Sequence, residues 1–347
     1  METATNSLFS FQIDPKHYNQ HNYLTFCNDV LVSILRYADA NNLANIKLEF
    51  NAKADFDAFE QAKKDSDDWQ EWLLHNGHHD EMYEAYFRHT FFSLIADFCN
   101  YMLESINCAA QMKVAVSYAL LRKPLKDTLG FIEWLYVDRN ELLDLLVQGK
   151  PDDLEITRRV AKEHTSLIEE KRDTSSYYGF RYDMTSESSL EHIWNNANHM
   201  ITTRCNLSKT APGSLNFVFT SENDLRKFSD YYYTTVPAIM SYALDLICDM
   251  FESFAPLTKY TLLINSMNRA LKMSTLVNGA IFDDLKLLYM NAEFPIFCPE
   301  CKCVFEMNDD LLLALMNDGL ICPNCEKKID STRYIFDWET SSTLSAE

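Results

Sequence analysis

This 347-residue sequence predicts a mainly α protein, one large helical bundle followed by a small cysteine-rich module. Three observations carry that prediction. Only seven glycines occur in the chain, about 2% where roughly 7% is usual, a scarcity that favours long helices over tight turns. Apolar residues recur at three- and four-residue steps over most of the length. Two Cys-Pro-x-Cys pairs lie close together between residues 298 and 325. The expected division is a bundle domain over residues 1–292 and the module over 293–347.

The helices follow in order. Asp14 caps a first helix with Pro15 at its opening position, where the missing N–H has no partner to lose, and Leu24, Cys27, Val30, Ile34 and Leu35 keep the period to about Ala40. Residues 41–52 form a connection with a short strand at Ile46 to Phe50. Asp55 to Lys64 and Asp67 to Leu74 read as short helices ended by Asn76-Gly77. From His79 to Asn107, Tyr83, Phe87, Phe91, Leu94, Phe98 and Met102 line one side of a long core helix. Met112 to Leu121 is helical until Pro124, whose ring conflicts with the carbonyl four residues back and should kink or break it. Beyond it Leu125, Leu129, Phe131, Ile132, Trp134, Leu135 and Tyr136 are apolar nearly all round, which places this pair at the centre of the bundle.

Arg139 to Val147 is a further short helix, Gly149-Lys-Pro151 punctuates it, and Asp152 or Asp153 starts a charged helix to about Glu170. Lys171 to Ser189 reads as a tyrosine-rich loop and Ser189 begins a helix through His199. Ala211-Pro-Gly213 is a turn and Leu215 to Thr220 alternates like a strand. Ser221 caps a helix that Pro237 should interrupt, and Met240, Leu244, Ile247, Phe251 and Phe254 carry it on to Pro256. Thr258 to about Ser274 is helical, and Asp283 to Met290 adds a turn or two.

The cysteines name a chemistry. Cys298-Pro-Glu-Cys301 and Cys322-Pro-Asn-Cys325 have the spacing of a four-thiolate site, because each short loop can turn two sulfurs toward one tetrahedral ion. Ten cysteines in a chain this long give only about 0.3 Cys-x-x-Cys pairs by chance. The stretch resembles the zinc-ribbon family, which implies a four-cysteine zinc ribbon with one structural Zn2+ per chain on Cys298, Cys301, Cys322 and Cys325. Knuckles of that family often place glycine after the second cysteine. Lys302 and Glu326 stand there instead, which predicts a looser geometry. Cys303 is a competing thiol, although a closed site needs only four. Pro295-Ile-Phe297 should pair with Val304-Phe305, Asp309 or Asp310 should cap a helix through Met316 ended by Gly319, and a last strand should run Tyr334 to Trp338.

Composition bounds the function. A net charge of −20 and a pI near 4.8 argue against general attraction to nucleic acid or an anionic membrane face. Residues 294–347 hold four Lys or Arg against ten Asp or Glu, so duplex DNA is disfavoured as a partner of the module and RNA is left open. Met1 to Asp14 has no basic region followed by an apolar core, and no apolar run approaches eighteen residues. No membrane partner and a cytoplasmic location are therefore expected. A reducing compartment leaves Cys27, Cys99, Cys108, Cys205 and Cys248 as small buried hydrophobes. Phosphate-cradling glycine loops and the Gly-x-Ser-x-Gly elbow are absent, so no cofactor-binding residues are assigned.

Three further constellations are candidates for chemistry. Arg159-Val-Ala-Lys-Glu-His164 fits the Arg-x4-His pattern and resembles HEPN-type ribonucleases, small helical proteins often found in prokaryotic defence and toxin systems. That resemblance implies metal-independent RNA cleavage, with Arg159 and His164 as catalytic residues paired across a dimer. Val160 stands where the family often has a polar residue. His75, His78 and His79 with Asp80 and Glu81 have divalent-metal ligand types, yet an acidic helix start explains the same residues. Arg122, Lys126, Asp127 and Glu133 form a charged collar in which Arg122 should pair with Asp127 or Glu133, and His192 and His199 share a helix nearby. The leading expectation is an interaction or regulatory protein with a structural zinc, engaging a protein partner or a second copy of itself; the ribonuclease is the alternative.

Overall fold

Helical periodicity in the sequence becomes helices in the computed structural model, which describes residues 13–50, 52–65, 69–150, 153–183, 185–186, 189–202, 211–216, 221–277, 297–305, 308–316 and 320–336. A 3-10 turn over Pro15–His17, capped by Asp14 through the Lys16 amide, leads into α1 (Tyr18–Ala40). Then come α2 (Lys53–Asp65), α3 (Trp69–His75), the 32-residue α4 (His79–Ala110), α5 (Val114–Arg122) and α6 (Leu129–Val147). After α7 (Arg158–Arg172), α8 (Tyr178–Tyr182) and α9 (Leu190–Asn198) come the 31-residue α10 (Glu222–Glu252) and α11 (Lys259–Lys272). The C-terminal module contributes α12 (Asp309–Met316) and an antiparallel hairpin of β1 (Leu320–Ile321) and β2 (Lys328–Ile329).

The main core lies between α1, α4, α5, α6 and α10, where Leu24, Phe91, Phe98, Ile132, Val236 and Ile247 are fully buried. Cys27, Cys99 and Cys248 lie in it as expected, with Cys108 half-buried and Cys205 outside the described residues. Burial pushes the Cys99 and Cys248 thiols up to about 12, so they are packing groups rather than nucleophiles. A second cluster joins Ile264 and Leu271 of α11 to Cys298, Phe305, Leu311 and Cys322. A third, around Phe59, Leu73 and Met82, secures α2 and α3. Among the described residues no helix is long and apolar enough to cross a membrane.

Both prolines behave differently from their local reading. Pro124 does not break its helix: residues Lys123–Thr128 widen into a π-helix that carries α5 into α6. Pro237 lies inside an unbroken α10, because Val236, Ile239 and Met240 are fully buried and packing outweighs the one hydrogen bond the ring removes. The expected helix from Arg139 is the second half of α6, after Asp138 leaves helical geometry and its carboxylate caps the Glu141 amide at 3.0 Å.

Other boundaries shift for identifiable reasons. α7 begins at Arg158 rather than near Asp152, since Thr157 accepts the Val160 amide as its cap. Asn308, not Asp309 or Asp310, caps α12 through the Leu311 amide at 2.9 Å. Among the described residues Ile46 to Phe50 forms no strand, and the tyrosine-rich loop contains α8. Phe297 and Val304 form a single bridge, and Tyr334 to Phe336 is not a strand. The expected helix at Asp283 to Met290, most of the strand from Leu215 to Thr220, and residues 295–296, 319 and 337–338 lie outside the described residues.

Gly130 shows packing reversing a local preference. Glycine inside a helix ordinarily costs roughly 0.5–1 kcal/mol relative to alanine. A Cβ at Gly130 would meet Ile156 Cγ2 at 2.6 Å and Cγ1 at 3.2 Å. Gly130→Ala is therefore expected to destabilise by about 1–3 kcal/mol in urea unfolding, and adding Ile156→Ala should recover most of that loss.

Candidate metal centre

Two short loops of the same construction face each other. In the first, the Lys302 amide donates to the Cys298 carbonyl at 3.0 Å and the Cys298 amide to the Cys303 carbonyl at 2.8 Å. In the second, Glu326 donates to Cys322 at 2.9 Å and Cys322 to Lys327 at 2.9 Å. Lys302 and Glu326 take φ of 60° and 59°, the left-handed conformation that glycine commonly supplies. The expectation of looser knuckles is thus corrected: the bonds on either side hold both non-glycine residues in the turn, at a strain of about 1–2 kcal/mol each.

The turns bring four sulfurs together. All four Sγ atoms of Cys298, Cys301, Cys322 and Cys325 lie within 4.8 Å of one another, with Cys298 to Cys325 and Cys301 to Cys322 each at 3.6 Å. Zinc–sulfur bonds of ~2.3 Å in a tetrahedron put sulfurs about 3.8 Å apart, so the cluster has the dimensions of a tetrahedral thiolate site. Backbone amides of Glu300 and Cys301 face Cys298, and those of Asn324 and Cys325 face Cys322. Asn324 Nδ2 donates to Cys301 Sγ at 3.3 Å and, with the Cys303 amide, brings that thiol down to about 6. Donors of this kind stabilise the thiolate, the form that binds metal, although at Cys298 burial outweighs them and pushes the thiol up. Cys303 places its sulfur 3.9 Å from Cys322 but outside the mutual cluster of four.

The module sits on α11 through its own small core. Cys298 and Cys322 are buried beside Ile264 and Leu271, and Phe297 stacks on Tyr260 with ring centres 4.5 Å apart. Val304 and Ile321 of the module are exposed apolar residues.

The other sequence candidates do not converge in this way. Arg159 is exposed, whereas His164 is buried with its ring 5.3 Å from Trp134 and Nδ1 unpartnered. Five residues along a helix turn the two side chains about 140° apart, so within one chain they share no surface. Burial lowers the His164 pKa and keeps the imidazole neutral near pH 7.

His78 packs against Phe50 and Trp72, and His79 stacks on Tyr83 at 4.1 Å. Among the described residues, His75, His78 and His79 form no three-ligand group with nearby carboxylates. His192 is buried and His199 exposed, so they do not act together either.

The charged collar is partly right and partly corrected. Arg122 does approach Asp127, at 4.0 Å and half-exposed. Glu133 pairs instead with Arg181 of α8, and both side chains are wholly buried. Sequence reading missed Arg181 because the stretch around it carries no helical period. Its one signal was a buried Glu133 that needed a cation.

No family model, no curated protein and no solved structure matches this chain.

Proposed function

We propose that this is a zinc-binding protein in which Cys298, Cys301, Cys322 and Cys325 hold one structural Zn2+ per chain, and that its role is interaction or regulation. The observation that carries the metal reading is the mutual approach of those four sulfurs, presented by two matched knuckles. Four thiolates fill a tetrahedral ion, so the metal has no open position for water and acts by fixing shape. Shape-fixing rather than catalysis favours a binding role. Exposed Val304 and Ile321 on the module suit contact with another protein or a second copy of the chain. Reduced thiols suit a cytoplasmic setting.

Metal analysis of reduced, purified protein tests the reading. One zinc per chain is expected, retained in Cys303→Ser and lost in Cys322→Ser. Metal loss in Cys303→Ser would move the fourth ligand to that residue, and a metal-free wild type would refute the site.

A further inference from the structure

Resting on the zinc reading above, we propose that the four-cysteine site locks a strap, residues 331–336, over an aromatic face of the bundle, so that metal loading controls whether that face is covered. β2 ends at Ile329, and Asp330 turns the chain by accepting the Thr332 amide at 2.9 Å. Only a few residues separate the second knuckle from the strap.

The strap then runs between the two hydrophobic cores. Tyr334 and Phe336 enter the main core of the bundle, while Ile335 between them joins the cluster around the cysteines.

Each contact on the bundle side is specific. Tyr334 is 2% exposed, its hydroxyl donates to Glu252 Oε1 at 2.6 Å, and its amide donates to Ser33 Oγ at 3.2 Å. The same Glu252 oxygen accepts from Arg269 at 3.2 Å, so the strap completes a charged network between α10 and α11. Phe336 stacks on Tyr37 with ring centres 4.0 Å apart, and Tyr334 meets the edge of Phe251 at 5.8 Å. On the other side Asn265 grips the Ile335 peptide at both ends, at 2.7 and 2.9 Å, and Asn268 holds the Ser331 carbonyl at 2.8 Å. A cleft of roughly 490 Å³ lined by Asp29, Arg36, Tyr37, Arg333 and Phe336 runs along the outer edge.

What the metal adds is an anchor. The hairpin preceding the strap has two residue pairs, too few to persist in water alone. Small modules of this kind take their folding free energy from the metal. Once the sulfurs separate, the hairpin and the α11 face that packs on Cys298 and Cys322 lose their partner, and the strap must hold itself by two aromatic rings and a few hydrogen bonds. Ordering six tethered residues opposes that.

Hydrogen exchange on the full-length zinc-loaded protein, before and after chelation under reducing conditions, tests the proposal, with metal content measured first. Chelation should lower protection of the Tyr334 and Ile335 amides at least tenfold while the α4 segment 95–106 is unchanged. Tyr334→Ala should expose the same amides with zinc still bound; if that variant does not fold, Asn265→Ala carries the same expectation for Ile335. Loosening of 320–329 alone, with residues 331–336 still protected, overturns the lock. Absence of metal at the first measurement overturns the zinc reading instead, so the two failures are distinguishable.

Discussion

Glu133→Ala is expected to lower stability by about 3–5 kcal/mol, seen as a large drop in the urea midpoint, because it leaves a guanidinium buried without its counter-ion. Arg181 and Glu133 are both fully buried. Arg181 Nη1 and Nη2 donate to the two carboxylate oxygens, and Tyr242 donates to Oε1 at 3.0 Å. Burial works against the Arg181 charge, but Glu133, Tyr182 and Tyr242 together more than offset it and hold the guanidinium protonated. Two more donors are used as well: Nε reaches the Leu125 carbonyl at 3.0 Å and Nη2 the Tyr182 hydroxyl at 2.9 Å. Leu125 lies in the π-helix that Pro124 introduces, so the proline's irregular turn supplies an acceptor that a buried arginine needs. Removing both charges together, as Glu133→Leu with Arg181→Met, should be clearly less damaging than Glu133→Ala, since the desolvation cost of the charges disappears with the pair and what is lost is the partner of the Tyr242 hydroxyl and of the Leu125 carbonyl. A double variant as unstable as Glu133→Ala would show that the hydrogen-bonded shape matters more than the charges.

Cys322→Ser should have the second large effect, abolishing metal binding and unfolding the module while α1, α4 and α10 remain helical. Cys322 is fully buried at the centre of the second hydrophobic cluster and its sulfur lies 3.6 Å from that of Cys301. Zinc contributes on the order of 10 kcal/mol to the folding of small modules of this type, about as much as burying the apolar residues of this cluster does before the entropy of ordering the module is set against it. Far-ultraviolet circular dichroism should change little, because the hairpin and α12 are short, whereas proteolysis should cut between residues 297 and 336. Resistance of the variant to protease across that stretch would show that packing on α11 folds the module without metal.

Helices over residues 18–40, over 79–107 and on either side of Pro237 were legible because a stripe repeating every 3.6 residues has one economical way to be buried. The cysteine knuckles were legible for a similar reason, since ligand spacing within a short loop is local geometry. Misreadings cluster where a distant group outweighs a local rule. Pro124 and Pro237 look like breaks until the packing around them is known. Thr157 and Asn308 displaced nearby acids as caps, a choice between adjacent candidates that differ by little free energy.

By itself, then, the sequence determined a mainly helical chain and which four sulfurs approach one another, because period and spacing are properties of neighbours along the chain. Only the tertiary structure decided that Glu133 answers Arg181, 48 residues away, that His164 is buried while Arg159 is exposed, and that residues 331–336 tie the cysteine module to the bundle. Those outcomes depend on which groups are left without water when the helices close on each other, and a buried charge or peptide takes whichever partner the fold brings within reach.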